Sequence, residues 1–135
     1  MTIRACDTID EFAHEVLRDA IWGIMYHERE LKRQTKTVGL AKQLIERCNF
    51  TEINIVEIEK EPYDDYGDDE ESDDVIDFAR STLRTEVNSA KYHENGIKDG
   101  ARKLALAQIV AVRLGYNFSI DEIQKQVTEQ LNERD

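Results

Sequence analysis

The amino-acid sequence predicts an all-α protein, built as a tandem duplication of a three-helix unit that packs as one pseudo-two-fold six-helix domain. The chain has 135 residues, 40% of them apolar and 35% charged, with one Pro and six Gly. This composition is typical of helices rather than of a loop-rich β fold. Apolar residues also recur at helical spacing, and the sequence from Ile9 matches the sequence from Val75.

The match between the two copies runs at a constant offset and without a gap. It aligns "IDEFAHEVLRDAIWGIMYHERELKRQTKTVGLAKQLIERC" with "VIDFARSTLRTEVNSAKYHENGIKDGARKLALAQIVAVRL". A Tyr-His-Glu triplet is shared at 26–28 and 92–94, and "NFT" at 49–51 aligns with "NFS" at 117–119 if the second copy gains two residues. Such a duplication predicts two similar halves related as in a homodimer fused into one chain.

The first copy is predicted to contain three helices. Apolar residues three and four apart favour one helix from about Thr8 to Arg33 and another from about Val38 to Cys48. A third, shorter helix follows, and Thr51 can cap its start.

The second copy is predicted to form helices at about 74–95, 99–114 and 120–133. Asp73 or Asp74 can cap the first, Gly115 suits the left-handed residue that ends the second, and Ser119 with Glu122 forms a capping box for the third. The stretch "LGYNFSIDEI" resembles, over about ten residues, the helix–Gly–capped-helix ends of leader-type domains in bacterial peptide precursors.

The predicted helix 99–114 is apolar nearly all round, so we expect it in the middle of the protein. Neither copy alone, at about sixty residues, buries much apolar surface. We therefore expect one intertwined domain, with a first repeat at 1–60, an acidic strap at 61–74 and a second repeat at 75–135.

This strap, hereafter the acidic segment, has the sequence "EPYDDYGDDEESDD" and carries nine carboxylates and no Lys or Arg. The net charge of the chain is −11, so the remainder carries −11 − (−9) = −2. This distribution disfavours direct nucleic-acid binding, which needs basic residues to replace counterions. Tyrosines interleaved with carboxylates favour docking on the basic surface of a protein partner, whereas self-repelling charge also suits a solvated linker.

The sequence therefore predicts a non-enzymatic binding protein without a cofactor. By analogy of physical type, it is an inhibitor or modulator of a nucleic-acid-handling complex, of the kind that phages encode. The oligomeric state is left open. The residues predicted to bind the partner are Tyr63, Asp64, Asp65, Tyr66, Asp68, Asp69, Glu70 and Glu71.

The alternative function is a small helical metalloprotein or hydrolase that uses the repeated Tyr-His-Glu triplets. His27 and His93 fall near the centres of their apolar stripes, with Glu28 and Glu94 beside them. If the two copies bring the histidines together, these residues would suffice for a metal site or an acid–base pair. The other interpretation is a pair of buried histidines held by ordinary hydrogen bonds.

The sequence also predicts a cytoplasmic protein that does not enter a membrane. Its start lacks the apolar run of a signal peptide, and its longest apolar stretch, 104–112, is too short to span a bilayer. Cys6 and Cys48 have neither the spacing of a metal site nor that of a disulfide framework, so both are expected to be reduced thiols.

Overall fold

The computed structural model describes residues 5–63 and 74–133, and within these ranges it contains four α-helices and no strand. The helices are α1 (Ile9–Arg47), α2 (Ile55–Lys60), α3 (Val75–Arg113) and α4 (Ile120–Glu133). The all-α prediction is confirmed. In the described ranges there are four helices where six were predicted, because the first two helices predicted in each copy are one continuous helix.

The predicted breaks at 34–37 and 96–98 do not occur. Thr35 and Thr37 donate their hydroxyls to backbone carbonyls one helical turn earlier, at 2.8 and 3.2 Å, so both are accommodated inside α1. In α3, the imidazole of His27 lies only 2.4 Å from where a Cβ on Gly96 would stand. The absence of a side chain there permits close packing, and packing rather than propensity supplies most helical stability.

The two long helices match in length and in their starting positions. Both α1 and α3 have 39 residues, and their first residues, Ile9 and Val75, are equivalent positions of the repeat. Both helices are followed by a residue with positive φ, Asn49 at 57° and Gly115 at 73°. Gly115 therefore takes the left-handed conformation predicted for it, and Asn49 is its repeat equivalent.

The short helices follow loops of different length. Asn54 caps α2 by accepting a hydrogen bond from the backbone N–H of Glu57 at 3.1 Å, so the predicted cap at Thr51 is wrong. Ser119 accepts from the N–H of Glu122 at 3.3 Å, as predicted. The loop 114–119 before α4 is one residue shorter than the loop 48–54 before α2, so the predicted gain of two residues in the second copy is wrong.

The chain divides into two compact units. Unit 1 comprises residues 1–29 and 95–135, and therefore the start of α1, the end of α3 and α4. Unit 2 comprises residues 30–94, and therefore the end of α1, α2 and the start of α3. Each unit thus combines parts of both sequence copies.

Each unit has its own apolar core. Leu17 in unit 1 and Leu83 in unit 2, which are repeat equivalents, are both fully buried. Burial of a leucine contributes about 1.5–3 kcal/mol. The core of unit 1 is formed by Leu17, Ile21, Ala107, Ala111, Ile123, Val127 and Leu131. The core of unit 2 is formed by Ala41, Ile45, Ile53, Ile58, Ala79, Leu83 and Val87.

The end of α3 is less covered than its sequence predicts. Ala107 and Ala111 are buried, as expected for a central helix. However, five large apolar side chains between residues 106 and 114 are 45–68% exposed, so the prediction that the helix 99–114 lies in the middle of the protein holds for only one of its faces. They are Leu106, Ile109, Val110, Val112 and Leu114.

None of the helices within 5–63 and 74–133 combines the length and the apolar character that a membrane span requires.

Candidate interaction surfaces

The acidic segment, residues 61–74, is described at its two ends. Tyr63 lies in the described part of the chain. The other predicted binding residues lie outside the described residues; they are Asp64, Asp65, Tyr66, Asp68, Asp69, Glu70 and Glu71.

Glu61, the first residue of the acidic segment, is held to α3 by two cationic side chains. Arg84 donates from Nε and Nη2 to the two carboxylate oxygens of Glu61, at 2.8 and 3.1 Å. Lys91 donates from its ammonium group to the backbone carbonyl of Glu61. A bidentate guanidinium–carboxylate pair fixes orientation as well as distance, so the segment leaves α2 from a defined position on unit 2.

An aromatic contact continues this attachment. The rings of Tyr63 and Tyr92 have centroids 6.1 Å apart at an angle of 34°, and Tyr92 is 48% exposed. At the other end of the segment, Asp74 accepts a hydrogen bond from the N–H of Ile76 at 2.9 Å and caps α3, as predicted. The carboxylate also lies at the positive end of the helix dipole.

The histidines of the Tyr-His-Glu triplets lie in different units. His93, in unit 2, is 8% exposed, and its ring lies edge-on to Tyr92 with centroids 5.1 Å apart. His27, in unit 1, is partly buried, with its ring edge-on to Tyr26 and against the backbone at Gly96.

The acidic residues that follow the histidines, Glu28 and Glu94, are both exposed. Among residues 5–63 and 74–133, no group of three or more His, Cys, Asp or Glu side chains is arranged to hold a metal ion. The alternative function, a metalloprotein or hydrolase that uses the Tyr-His-Glu triplets, therefore stays a prediction.

A cavity of about 400 Å³ in unit 1 contains a histidine to which the sequence interpretation gave no role. His14 Nδ1 lies 2.9 Å from the Tyr116 hydroxyl, and Cys6, Asp10 and Glu11 line the same cavity. Burial raises the pKa of Tyr116, and the negative charge of Asp10 raises it further. The sequence does carry a signal for this site, because Glu11 and His14 have the Glu-x-x-His spacing that occurs in helical metal sites.

The pKa of the Cys6 thiol is raised in this cavity. Burial raises the pKa of its thiol, and the carboxylates of Glu15, Glu11 and Asp7 add to the effect. Since the thiolate is the reactive form, these surroundings disfavour the reactive form of the side chain.

A second cavity in unit 1, of about 410 Å³, contains a buried arginine. Arg18 is 3% exposed and donates from Nε and Nη2 to the same oxygen of Glu15, at 3.2 and 2.6 Å. Its Nη1 and the side-chain oxygen of Gln130 are buried without hydrogen-bond partners, and both residues line this cavity with Glu129. Glu15 therefore compensates the charge of the guanidinium at short range.

Comparison of the chain with protein-family models, with curated proteins and with solved structures found no match.

Proposed function

We propose that this is a non-enzymatic binding protein whose acidic segment engages a basic surface of a protein partner. The observation that carries the proposal is the concentration of charge. Residues 61–74 hold nine of the 29 acidic residues, without one Lys or Arg, in a chain of net charge −11.

The concentrated negative charge of the acidic segment is expected to affect the rate of association with a partner first. Concentrated charge of one sign raises on-rates for an oppositely charged partner by about 10- to 1,000-fold, and salt suppresses the gain because the Debye length is about 10 Å at 0.1 M. Carboxylates also accept bidentate hydrogen bonds from arginine. The partner surface is therefore expected to be rich in arginine.

Contact area comes from the tyrosines. Tyr63, and Tyr66 in the part outside the described residues, place two aromatic side chains among the carboxylates. Tyrosine offers large amphipathic area with few rotatable bonds, and it is enriched among residues that dominate binding energy. The attachment of Glu61 to Arg84 and Lys91 supports the proposal because an anchored end lowers the entropy lost on binding.

A basic surface that binds the phosphate backbone is the natural target of this chemistry. Proteins that bind nucleic acid do so with clustered Lys and Arg. A segment with nine carboxylates competes for the same side chains, so we propose that the protein inhibits or modulates a nucleic-acid-handling complex.

The test uses two variants with the same net charge. The segment variant changes Asp64, Asp65, Asp68 and Asp69 to Asn. The control changes four exposed acids outside the segment to Gln, namely Glu28, Glu46, Glu52 and Glu94. Each variant raises the net charge by four, from −11 to −7.

Each immobilised full-length chain captures proteins from host lysate at low and at high salt, and mass spectrometry identifies them. We expect a salt-sensitive set of basic proteins that the control retains and the segment variant loses. The proposal fails if both variants retain the set equally, or if both lose it. Loss only in the control would move attention to Glu28 and Glu94 and the triplet function.

A further inference from the structure

We infer that an apolar groove in unit 1 binds a small amphiphilic amine, with the ammonium group at Asp19 and the apolar body along the groove. The site lies outside the acidic segment, and the inference does not depend on the proposed function.

The groove lies between the start of α1 and the end of α3 and has a volume of about 470 Å³. Small-molecule sites have volumes of about 300–1,000 Å³ and are mostly apolar, with a few polar groups that fix the orientation of the ligand. Among the described residues that line this groove, Asp19 and Lys103 are polar and the others are apolar. In size and composition the groove therefore matches a small-molecule site.

Each of the two helices turns one face toward the groove. The lining residues stand at positions 9, 12, 13, 16, 19 and 20 of α1 and at positions 103, 106, 107, 110 and 114 of α3. Spacings of three and four residues place side chains on one helix face. The lining residues that are buried are alanines, whose small side chains leave room between the helices; they are Ala13, Ala20 and Ala107.

The two helix segments that form the groove run antiparallel. His27 lies against Gly96, and Ile24 lies against Gly100. Residues of α1 are therefore met in reverse order along α3. This direction determines which residues of the two helices lie at the same end of the groove.

The polar residues of the groove lie at one end. Because the helices are antiparallel, Asp19 and Lys103 are at that end, and Ile9 and Leu114 are at the other. Ile9 and Asp19 are separated along α1 by about 15 Å, at 1.5 Å per residue. An elongated ligand with one polar end fits this arrangement.

The charge that the groove offers to a ligand is the carboxylate of Asp19. This side chain is partly buried, and its carboxylate has neither a hydrogen bond nor an ion pair with any residue in 5–63 and 74–133. Lys103, in contrast, is 61% exposed, and its Nζ pairs with Asp99 Oδ2 at 3.0 Å. An ion pair strengthens as water is withdrawn from it, so a carboxylate beside apolar surface favours a cation.

The repeat indicates that this carboxylate is not required by helix packing. Asp19 and Lys103 align with Thr85 and Thr37 in unit 2. The acid beside Thr85, Glu86, accepts a hydrogen bond from a glutamine of α1. The large apolar residues of the groove, in contrast, have apolar equivalents in unit 2, namely Val75, Phe78, Leu40 and Leu44. Unit 2 therefore serves as an internal control for the role of Asp19.

Probes that share a decyl chain and differ in the polar end test the inference. Decylamine, decanol and decanoate are each titrated into the full chain at physiological salt, below the micelle concentration, and methyl NMR measures binding. We expect decylamine to bind about fivefold or more tightly than decanol, and decanoate to bind most weakly. The methyl groups of Leu106 and Val110 should report this preference, whereas those of Leu40 and Leu44 should not.

Variants of the carboxylate separate the groove from the general attraction of a cation to an acidic chain. Asp19→Asn should abolish the preference for decylamine and leave the binding of decanol unchanged. Glu28→Gln makes the same change of charge at an exposed acid of α1 outside the groove, so it should keep the preference. The segment variant described above should keep it as well.

The inference is overturned if no probe gives saturable shifts at Leu106 and Val110, if decanoate binds most tightly, or if Asp19→Asn keeps the preference for decylamine. Loss of the preference in the segment variant also overturns it, because the amine then binds the acidic segment. Circular dichroism checks that each variant is folded. If Asp19→Asn unfolds the chain, Asp19→Thr replaces it, since threonine occupies the equivalent position in unit 2.

Discussion

Replacing Arg18 with methionine should destabilise the protein far more than the same replacement of Arg84. The two arginines occupy equivalent positions of the repeat. Arg18 and its partner Glu15 have side chains 3% and 13% exposed, whereas Arg84 and its partner Glu61 are 34% and 41% exposed. Methionine fills a similar volume, so the change removes charge without opening a cavity.

The expected magnitudes follow from this difference in burial. Removing one partner of a buried ion pair leaves an uncompensated charge and costs about 3–5 kcal/mol. Because Glu15 keeps some contact with solvent, we expect about 3 kcal/mol for Arg18→Met. A pair as exposed as Arg84 and Glu61 contributes about 1 kcal/mol or less.

Urea unfolding followed by circular dichroism, at one fixed protein concentration, measures both values. For a chain of this length, about 3 kcal/mol corresponds to a fall in Tm of roughly 10 °C. The double variant Glu15→Leu, Arg18→Met should recover stability to within about 1 kcal/mol of wild type, because apolar replacement of a buried ion pair is often neutral.

Equal losses for Arg18→Met and Arg84→Met would refute this reasoning. A double variant no more stable than Arg18→Met alone would refute it as well. Either result would mean that burial of the guanidinium does not decide the energetics of the two repeat-equivalent arginines.

Two further predictions concern the long helices. Gly39→Ala should stabilise the protein by about 0.5–1 kcal/mol because nothing lies within 4 Å of the new Cβ. Gly96→Ala should destabilise it by about 1–2 kcal/mol because the imidazole of His27 must move. Urea unfolding compares the two variants, and equal changes in stability would contradict the close packing of His27 on Gly96. Hydrogen bonds from Lys103 and then Arg102 hold the pKa of Asp99 below its ordinary value. The stability that Asp99 contributes is therefore present above the ordinary carboxyl pKa and lost as pH falls through the lower folded value. NMR titration should show the pKa of Asp99 rising toward its ordinary value in Lys103→Met, and an unchanged pKa would argue against this pairing.

The features that sequence predicts best are local ones. The helical spacing of apolar residues correctly predicts helices throughout the repeat, and the chemistry of single residues correctly places Asp74, Gly115 and Ser119 at helix ends. These features depend on a few neighbouring residues, which is why spacing and capping rules identify them.

The features that the sequence interpretation missed depend on distant contacts. The close packing at Gly96 in α3 involves His27, which lies in the other copy of the repeat. The pairing of His14 with Tyr116 likewise joins the start of α1 to the loop after α3. Local propensity disfavours a helix at Gly96 and carries no information about its packing, so the predicted break was wrong.

The exposed apolar surface at the end of α3 illustrates a different limit. Its composition predicts burial, and the single chain buries only the face with Ala107 and Ala111. The apolar composition of a helix predicts that its surface is buried, but it does not identify whether the same chain or another chain buries it.

The measurement that tests the central claim most directly is the salt dependence of affinity for a captured partner. The dissociation constant is measured from low to high salt for the wild type, the segment variant with Asp64, Asp65, Asp68 and Asp69 changed to Asn, and the charge-matched control. We predict that wild type and control bind alike and weaken steeply with salt, and that the segment variant binds about tenfold or more weakly at low salt with a shallower dependence. Three coincident curves would contradict the account and reduce residues 61–74 to a linker.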